Sequence, residues 1–500
     1  VYLIINNYIP MGGIIIAFKK FNYAKGILGS PWTGLDNFEF LFKTKEAWTI
    51  TRNTLVYNML FIVIGTILAV AVAILLNELK SVMAKKVYQT VILVPFLISI
   101  VVVSYLVYGF LSTDTGFINK SILQPMGKNS ISWYSDPTYW PFILVIVNVW
   151  KNLGYNCIIY YATVVGLDTS LYESAAIDGA GRWKRIWHIT LPGLKTTIIT
   201  LVLMSVGRVF YSDFGLFYQV PMNSGPLIDV TNTIDTYVYR GLMELNNIGM
   251  ASAAAVYQSL VGFILVLSAN MSVRKIDQES AIFNRVEVTE MGEKSKAFQI
   301  GVHCFMILLM LFCLIPFLLL LVSSFTAESA LLKNGYSFFP SEISFDAYKA
   351  LLVDSSSIFR GYFLSFVVTV TGTLSNVVLT LLFAYPLSRR DLPGKGFFSF
   401  MVFFTMLFNG GLVPTYMMWT GVFNIKNTLW ALIVPNLMMG AFYVIMMRTY
   451  FTTNIPEAVL EAARIDGAGE LKMLIQIVLP MSKPIIATII LLVGLNYWND

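Results

Sequence analysis

Two short stretches of this 500-residue chain carry residue types whose spacing could do directed work. Residues 171–192 read LYESAAIDGAGRWKRIWHITLP and residues 460–480 read LEAARIDGAGELKMLIQIVLP. Glu173, Asp178, Gly179, Ala180, Gly181, Leu191 and Pro192 recur as Glu461, Asp466, Gly467, Ala468, Gly469, Leu479 and Pro480, each 288 positions on (461 − 173). No gap interrupts the spacing, so one element is written twice. Each copy sets an Ala-rich helix-forming run before a Gly-Ala-Gly break, then a second helical run closed by Leu-Pro. The glycines admit backbone conformations and close approaches that a side chain blocks. Asp178 and Asp466 can cap the helix that follows by accepting its free N–H groups. The proline ends the motif, or opens the next helix where its missing N–H costs nothing. A helix, a sharp turn and another helix are therefore predicted.

Other chemistry finds little support in the residues. A phosphate loop needs Gly-x-x-x-x-Gly-Lys-Ser/Thr, but Gly127-Lys128 is followed by Asn129 and Gly394-Lys395 by Gly396, so ATP hydrolysis is not expected of this chain. There is no Gly-x-Ser-x-Gly elbow and no His-Glu-x-x-His. Cys157, Cys304 and Cys313 all sit in apolar runs without the paired spacing of a zinc site or a disulfide framework. With His188 and His303 as its two histidines, the chain is not expected to hold a metal.

The elements that must position the two motifs are membrane spans. Hydrophobic residues make up 57% of the chain and charged residues 12%, with a mean hydropathy of +0.70, whereas a soluble protein carries about 25% charged residues. The net charge of +6 resides in short loops between apolar runs and reads as topology, not as a footprint for nucleic acid. After an opening run that ends near Phe18, read as a first helix lacking its beginning, spans are expected at 53–77, 87–111, 141–165, 194–219 and 249–272. Lys80, Lys85 and Lys86 place the first short loop in the cytoplasm, and the fourth span then returns to that side and delivers the first motif with Arg182, Lys184 and Arg185. Lys19, Lys20, Lys25, Lys43 and Lys45 in the first outer loop run against this trend.

Residues 276–298 form the sustained polar stretch between two apolar halves. The domains are read as 1–283, a cytoplasmic linker at 284–298, and 299–500. Second-half spans are expected at 300–322, 361–387, 397–420 and 427–448, then the second motif, then a span opening at Ile485. The fold class is an all-α polytopic membrane protein, two homologous bundles of about six transmembrane helices each, with the first and last helices incomplete.

Glu-Ala-Ala, three residues, Asp-Gly-Ala-Gly, then Ile-x-Leu-Pro resembles the cytoplasmic loop of permease subunits in binding-protein-dependent ABC importers; Ser174 stands where the second copy has Ala462. The resemblance covers nearly the whole chain and implies two permeases fused in one polypeptide of a bacterial plasma membrane. It implies that each motif is a coupling helix seated in a groove of an ATPase subunit. Glu173, Ala175, Asp178, Gly179, Gly181 and Pro192, with Glu461, Ala463, Asp466, Gly467, Gly469 and Pro480, would then be the coupling residues. Two ATP-binding subunits and an extracytoplasmic solute-binding protein are the implied partners. ATP and magnesium belong to the ATPase, and no cofactor is expected on this chain. The segments YIPMGGIIIAFKKFNYAKGI and FNGGLVPTYMM look most like the carbohydrate-uptake branch, so an oligosaccharide is the expected substrate. A peptide, amino acid or polyol is the alternative cargo. An ion-coupled secondary transporter and a membrane scaffold are readings from other classes; transport without an ATPase would favour the former, and no nucleotide-dependent transport the latter.

Polar and aromatic groups inside spans are costly unless they pair or line a cavity, which makes them candidates for touching substrate. Trp150, Asn152 and Tyr155 with Lys151, and Tyr211 and Asp213 with Arg208, fit this in the first half. Asn409, Asn436, Tyr443 and Asn496 fit it in the second. Interfacial aromatic belts and helix-bridging amides place the same residue types in spans.

Overall fold

The computed structural model describes residues 2–276, 296–353, 355–435 and 437–499. Among them the regular structure is helical, with two isolated bridges, Lys19 with Trp32 and Thr326 with Ile343. Six helices are long and apolar enough to cross a bilayer: Lys45–Glu78, Trp140–Val165, Arg182–Val206, Ile248–Leu265, Phe298–Ser324 and Ser355–Ser388. Two further helix pairs are long and apolar enough when taken together, each a broken span or a re-entrant loop: Val82–Leu97 with Ile100–Leu111, bent by 97°, and Glu470–Met481 with Lys483–Asn499, bent by 81°.

Four of the expected continuous spans are broken, each for a local reason. The 87–111 run bends where Ser99 caps the second helix, its Oγ accepting from the Val101 N–H at 3.3 Å. Helix Leu191–Val206 stops at Gly207 instead of running on to 219. The 397–420 run ends its first helix at Leu407 and restarts at Leu412 after Asn409-Gly410-Gly411, with Gly411 at φ 81°. The 427–448 run holds only Trp430–Ile433 before Ala441–Asn454, with Pro435 between them. Carbonyls freed inside an apolar span need donors, and half-buried and buried polar side chains supply them. Lys151 Nζ donates to Ile98 O, Asn58 Nδ2 to Val209 O at 2.8 Å and Tyr211 O at 3.0 Å, and Asn376 Nδ2 to Leu437 O.

The chain forms two compact units, and each draws on both sequence halves. One comprises Val1–Phe42, Val238–Leu260 and Leu351–Asp500; the other comprises Lys43–Tyr237 and Val261–Ala350. In the first, Ser355–Ser388 packs on Ala441–Asn454 and Lys483–Asn499 around Val444, Met447 and Ile489. The opening residues join that core: Leu3 is buried in it, the Tyr2 hydroxyl donates to Val434 O at 2.7 Å, and Trp419 Nε1 donates to Asn6 Oδ1 at 3.1 Å.

In the second unit, Lys45–Glu78 and Val82–Leu97 pack on Trp140–Val165 around Trp140, Leu144 and Phe217. Gly154 makes the crossing possible, because a Cβ there would lie 2.2 Å from the Ile92 carbonyl oxygen. Lys296–Ser324 belongs to this unit, with Trp150 Nε1 donating to Phe312 O at 3.2 Å. The linker expected at 284–298 lies outside the described residues up to 295; 296–298 open this helix. Lys19, one of the lysines against the topological trend, is buried, with Nζ donating to Ile27 O at 2.9 Å and Leu28 O at 2.8 Å.

Candidate functional site

The two motifs fold alike, turn for turn. Thr169–Ile177 and Glu457–Ile465 are the first helices, Arg182–Arg185 and Glu470–Met473 the second, and a wide π turn follows at Ile186–Thr190 and Leu474–Val478. Every boundary keeps the 288-residue shift (457 − 169). The first helix closes identically in both. Ala180 N–H reaches Ala175 O at 2.8 Å and Gly179 N–H reaches Ala176 O at 3.1 Å; Ala468 N–H reaches Ala463 O at 2.9 Å and Gly467 N–H reaches Arg464 O at 3.0 Å. This paired closure requires a left-handed residue just past the helix. Gly179 and Gly467 supply it at φ 70° and 79°.

The expected capping by Asp178 and Asp466 does not occur. Each ends the preceding helix, and the residue that begins the next is Gly181 or Gly469, with extended backbone and no side-chain cap. A capping oxygen must sit within about one turn of the N–H groups it serves, and the aspartates lie three residues too early. Asp168 does cap, accepting from the Ser170 N–H at 2.9 Å. Pro192 and Pro480 open the next helix directly behind the π turn. In a regular helix the proline ring would press on the carbonyl four residues back, and the wide turn relieves that contact.

Each loop has an inner anchor and an outer tip. Tyr172 and Leu460, at the same repeat position, are both buried. The Tyr172 hydroxyl shares a 2.8 Å hydrogen bond with Thr190; the second copy has Leu460 and Val478 at those positions, both apolar and both in the core. At the tips Ile177 and Ile465 are each 87% exposed. Glu173 and Glu461 are exposed, Ala175 and Ala463 half-buried, and a Cβ at Gly179, Gly181, Gly467 or Gly469 would meet nothing within 4 Å. An exposed isoleucine beside an open small-residue surface is an apolar knob with room around it. Sequence reasoning passed over Ile177 and Ile465, although the recurrence of an isoleucine ahead of each Asp-Gly was visible.

The copies differ in what braces them. Arg464 Nη2 contacts Asp391 Oδ2 at 3.0 Å and Glu470 Oε1 at 2.8 Å, and the buried Tyr385 donates its hydroxyl to Glu470 Oε2 at 2.6 Å. Arg389 Nε lies 3.6 Å from Asp391 Oδ1, and Arg390 pairs with Glu457 at 3.1 Å. A hydrogen bond from its own backbone and another from Arg464 hold the Asp391 carboxyl below its ordinary pKa. The Glu470 carboxylate thus accepts from Tyr385 on one oxygen and from Arg464 on the other. In the first copy Ala176 replaces Arg464, and Arg182 replaces Glu470. The Arg182 guanidinium sits 4.5 Å over the Phe298 ring instead. Nearby, Gln299 accepts from the Lys80 N–H at 3.0 Å and donates to Glu78 O.

The intramembrane candidates fall into smaller groups. Trp150 is buried against Phe312 and Asn152 donates to Asn148 O at 3.0 Å, both within the helical packing. Tyr155 is stacked on Phe96, ring centroids 4.6 Å apart. Asp213 is exposed, caps Phe214–Tyr218 by accepting from the Leu216 N–H, and lies in electrostatic range of Lys151. The break at residues 97–100, the middle of Trp140–Val165 and residues 211–213 are thereby brought together, with half-buried Tyr211 accepting from Asn58 through its carbonyl. Arg208 is exposed. In the other unit Asn496 Nδ2 meets the Tyr443 hydroxyl at 3.2 Å, while Asn409 shapes its own turn and accepts from Ser259. Asn436 lies outside the described residues.

The sequence pattern of the family described as "Binding-protein-dependent transport system inner membrane component" matches residues 61–278 and 355–500. The chain belongs to this family. Each matched segment contains one loop, so two permease segments share one polypeptide, and the chain is an integral membrane protein. The permease is similar to "Protein LplB" of Bacillus subtilis, 34% identical over 278 residues, which cover 56% of this chain and 86% of that protein. It is also similar to the polygalacturonan/rhamnogalacturonan transport system permease protein YteP of the same organism, 33% identical over 279 residues, 56% of this chain and 86% of that protein. Among solved structures it resembles a bacterial ABC transporter involved in the import of the acidic polysaccharide alginate, at 31% identity and a TM-score of 0.51, over 55% of this chain and 92% of that one. YteP is named as a permease protein and the solved structure as a transporter. In the permease the Lys296–Ser324 helix falls between the two matched segments, and its opening residues brace the first loop.

Proposed function

We propose that the chain is the membrane-spanning permease of an ATP-driven importer of oligosaccharides in a bacterial plasma membrane. Its two homologous halves, 1–283 and 299–500 joined at 284–298, act as two permeases working as a pair. Each cytoplasmic loop is held by one of two ATP-binding subunits, and ATP and magnesium are handled there. Closure of the ATPase pair drags the loops, tilts the helical bundles and opens a central path to one side at a time. An extracytoplasmic solute-binding protein delivers the sugar. A structure of the alginate transporter in complex with a pentasaccharide-bound periplasmic protein, 31% identical to this chain, supports that partner. The names carried by the relatives support a carbohydrate cargo.

The observation that carries this reading is the twice-built loop, with Ile177 and Ile465 equally exposed beside left-handed glycines. Among the described residues nothing covers these two apolar tips, held out at the same place; a partner groove would. The test is uptake of labelled oligosaccharide by proteoliposomes holding the chain with its ATPase and binding protein. Ile177→Asp and Ile465→Asp should insert into the membrane normally and lose most uptake. Normal uptake by both would refute the role.

A further inference from the structure

We infer that the second loop is tied to its own helical unit by an ion-paired clamp, Arg464 with Asp391 and Glu470, and that these three are positioning residues that stiffen one of the two coupling loops. The inference rests on the reading of the loops as ATPase-coupled levers. Three segments meet at Arg464: its own helix, the next short helix through Glu470, and, 73 positions away, the turn after Ser355–Ser388 through Asp391. Tyr385, buried near the end of that long helix, takes hold of the remaining Glu470 oxygen. A displacement of Glu457–Ile465 is therefore handed to Ser355–Ser388, the helix on which Lys483–Asn499 and Ala441–Asn454 pack. Single exposed ion pairs contribute little, but a shared guanidinium with two carboxylates and a buried hydroxyl fixes geometry as a network.

The first loop cannot build the same triad, because the positions of Arg464 and Glu470 are held there by Ala176 and Arg182. Its brace is a guanidinium over an aromatic ring, a contact that tolerates sliding. A thrust on the second loop is thus passed to the bundle with less slack than a thrust on the first.

The experiment measures ATP hydrolysed per oligosaccharide moved, using the full chain in proteoliposomes with its ATPase and binding protein. Arg464→Gln and Asp391→Asn should each raise that ratio roughly fivefold, the low end of coupling energies between sites. Arg464→Lys should stay near the unaltered protein. High salt should raise the ratio in the unaltered protein and add little in Arg464→Gln. Asp391 lies in an exposed turn outside the loop, so Asp391→Asn decides the matter if Arg464→Gln fails to assemble. An unchanged ratio in the assembled variants overturns the clamp. If Ile465→Asp still abolishes uptake in the same preparation, the coupling role of the loops survives and only the clamp falls. If Ile465→Asp is also silent, the coupling reading itself has failed.

Discussion

The two repeated loops are a natural comparison, since they share every turn of backbone and differ in how they are anchored. The first holds its inner end with a hydroxyl pair, Tyr172 and Thr190, and its second helix with Arg182 over Phe298. The second holds its inner end with Leu460 and Val478 and its second helix with carboxylates and a guanidinium. What survives in both is the part facing outward: the exposed isoleucine, the left-handed glycine and the open surface beside it. The inward contacts were free to change because any chemistry that fills the space will serve. The outward geometry is kept, as expected of a surface that meets the same kind of partner twice.

The largest expected effect comes from the apolar anchor. Leu460→Ala should cost about 2–5 kcal/mol of local stability, as large-to-small core changes do, seen as a lowered thermal midpoint in detergent. Next come the glycines. Gly179→Val and Gly467→Val should each strain the turn by roughly 1–2 kcal/mol, and the comparison predicts equal losses of uptake from the two; a large effect in one alone would break it.

Exchanging the inner pairs sharpens the contrast further. Val478→Thr buries a hydroxyl away from the tyrosine that serves Thr190, at a cost of about 1–3 kcal/mol, and Tyr172→Phe strands the Thr190 hydroxyl at a cost of about 1 kcal/mol. The double change Tyr172→Phe with Thr190→Val removes both polar partners while keeping their shapes and should be nearly neutral by thermal unfolding.

The smallest effect concerns pH. Asp391 is held below its ordinary value in the folded chain, so the stability it lends is fully present above about pH 4 and is lost as pH falls through the lower folded value. Arg389 and Arg464 face Asp391, and the hydrogen bonds from Arg464 to Glu470 and Asp391 push its guanidinium further up, so it keeps its charge between pH 5 and 8. The rate of thiol labelling at a cysteine placed at position 465, divided by the rate at a cysteine placed at position 177 so that the ionisation of the thiol cancels, should therefore be flat over that range. A midpoint above pH 5 would contradict the assignment.

Much of this was legible in the sequence because it is local. The repeat, the helix-turn-helix form of each motif and the helical class follow from spacing and hydropathy. The role given to Asp178 and Asp466 failed because the Gly-Ala-Gly break moves the next helix out of their reach, and glycine takes the capping position. Broken spans were missed because a hydropathy window averages across Ser99, or across Asn409-Gly410-Gly411, without seeing the backbone turn. The clamp joins Arg464 to a residue 73 positions away, and no local pattern marks that pairing. The joining of Lys296–Ser324 to first-half helices is likewise a long-range choice.

The repeat shows one further asymmetry whose cause can be read in hindsight. The first copy runs from Arg182 to Val206 as one helix, whereas the second bends by 81° at Ser482. Pro484 stands where the first copy has Thr196, and its ring and missing N–H break the ladder back to Pro480.

The account stands or falls on whether both tips lie under an ATPase. Single cysteines in place of Ile177 and Ile465, labelled with a membrane-impermeant thiol reagent from the cytoplasmic side, test this directly. Both positions should label readily in the isolated permease and be protected, to a similar degree, when the ATPase subunits are bound. Labelling from the outer side, or labelling at either tip that the ATPase leaves unchanged, would contradict it.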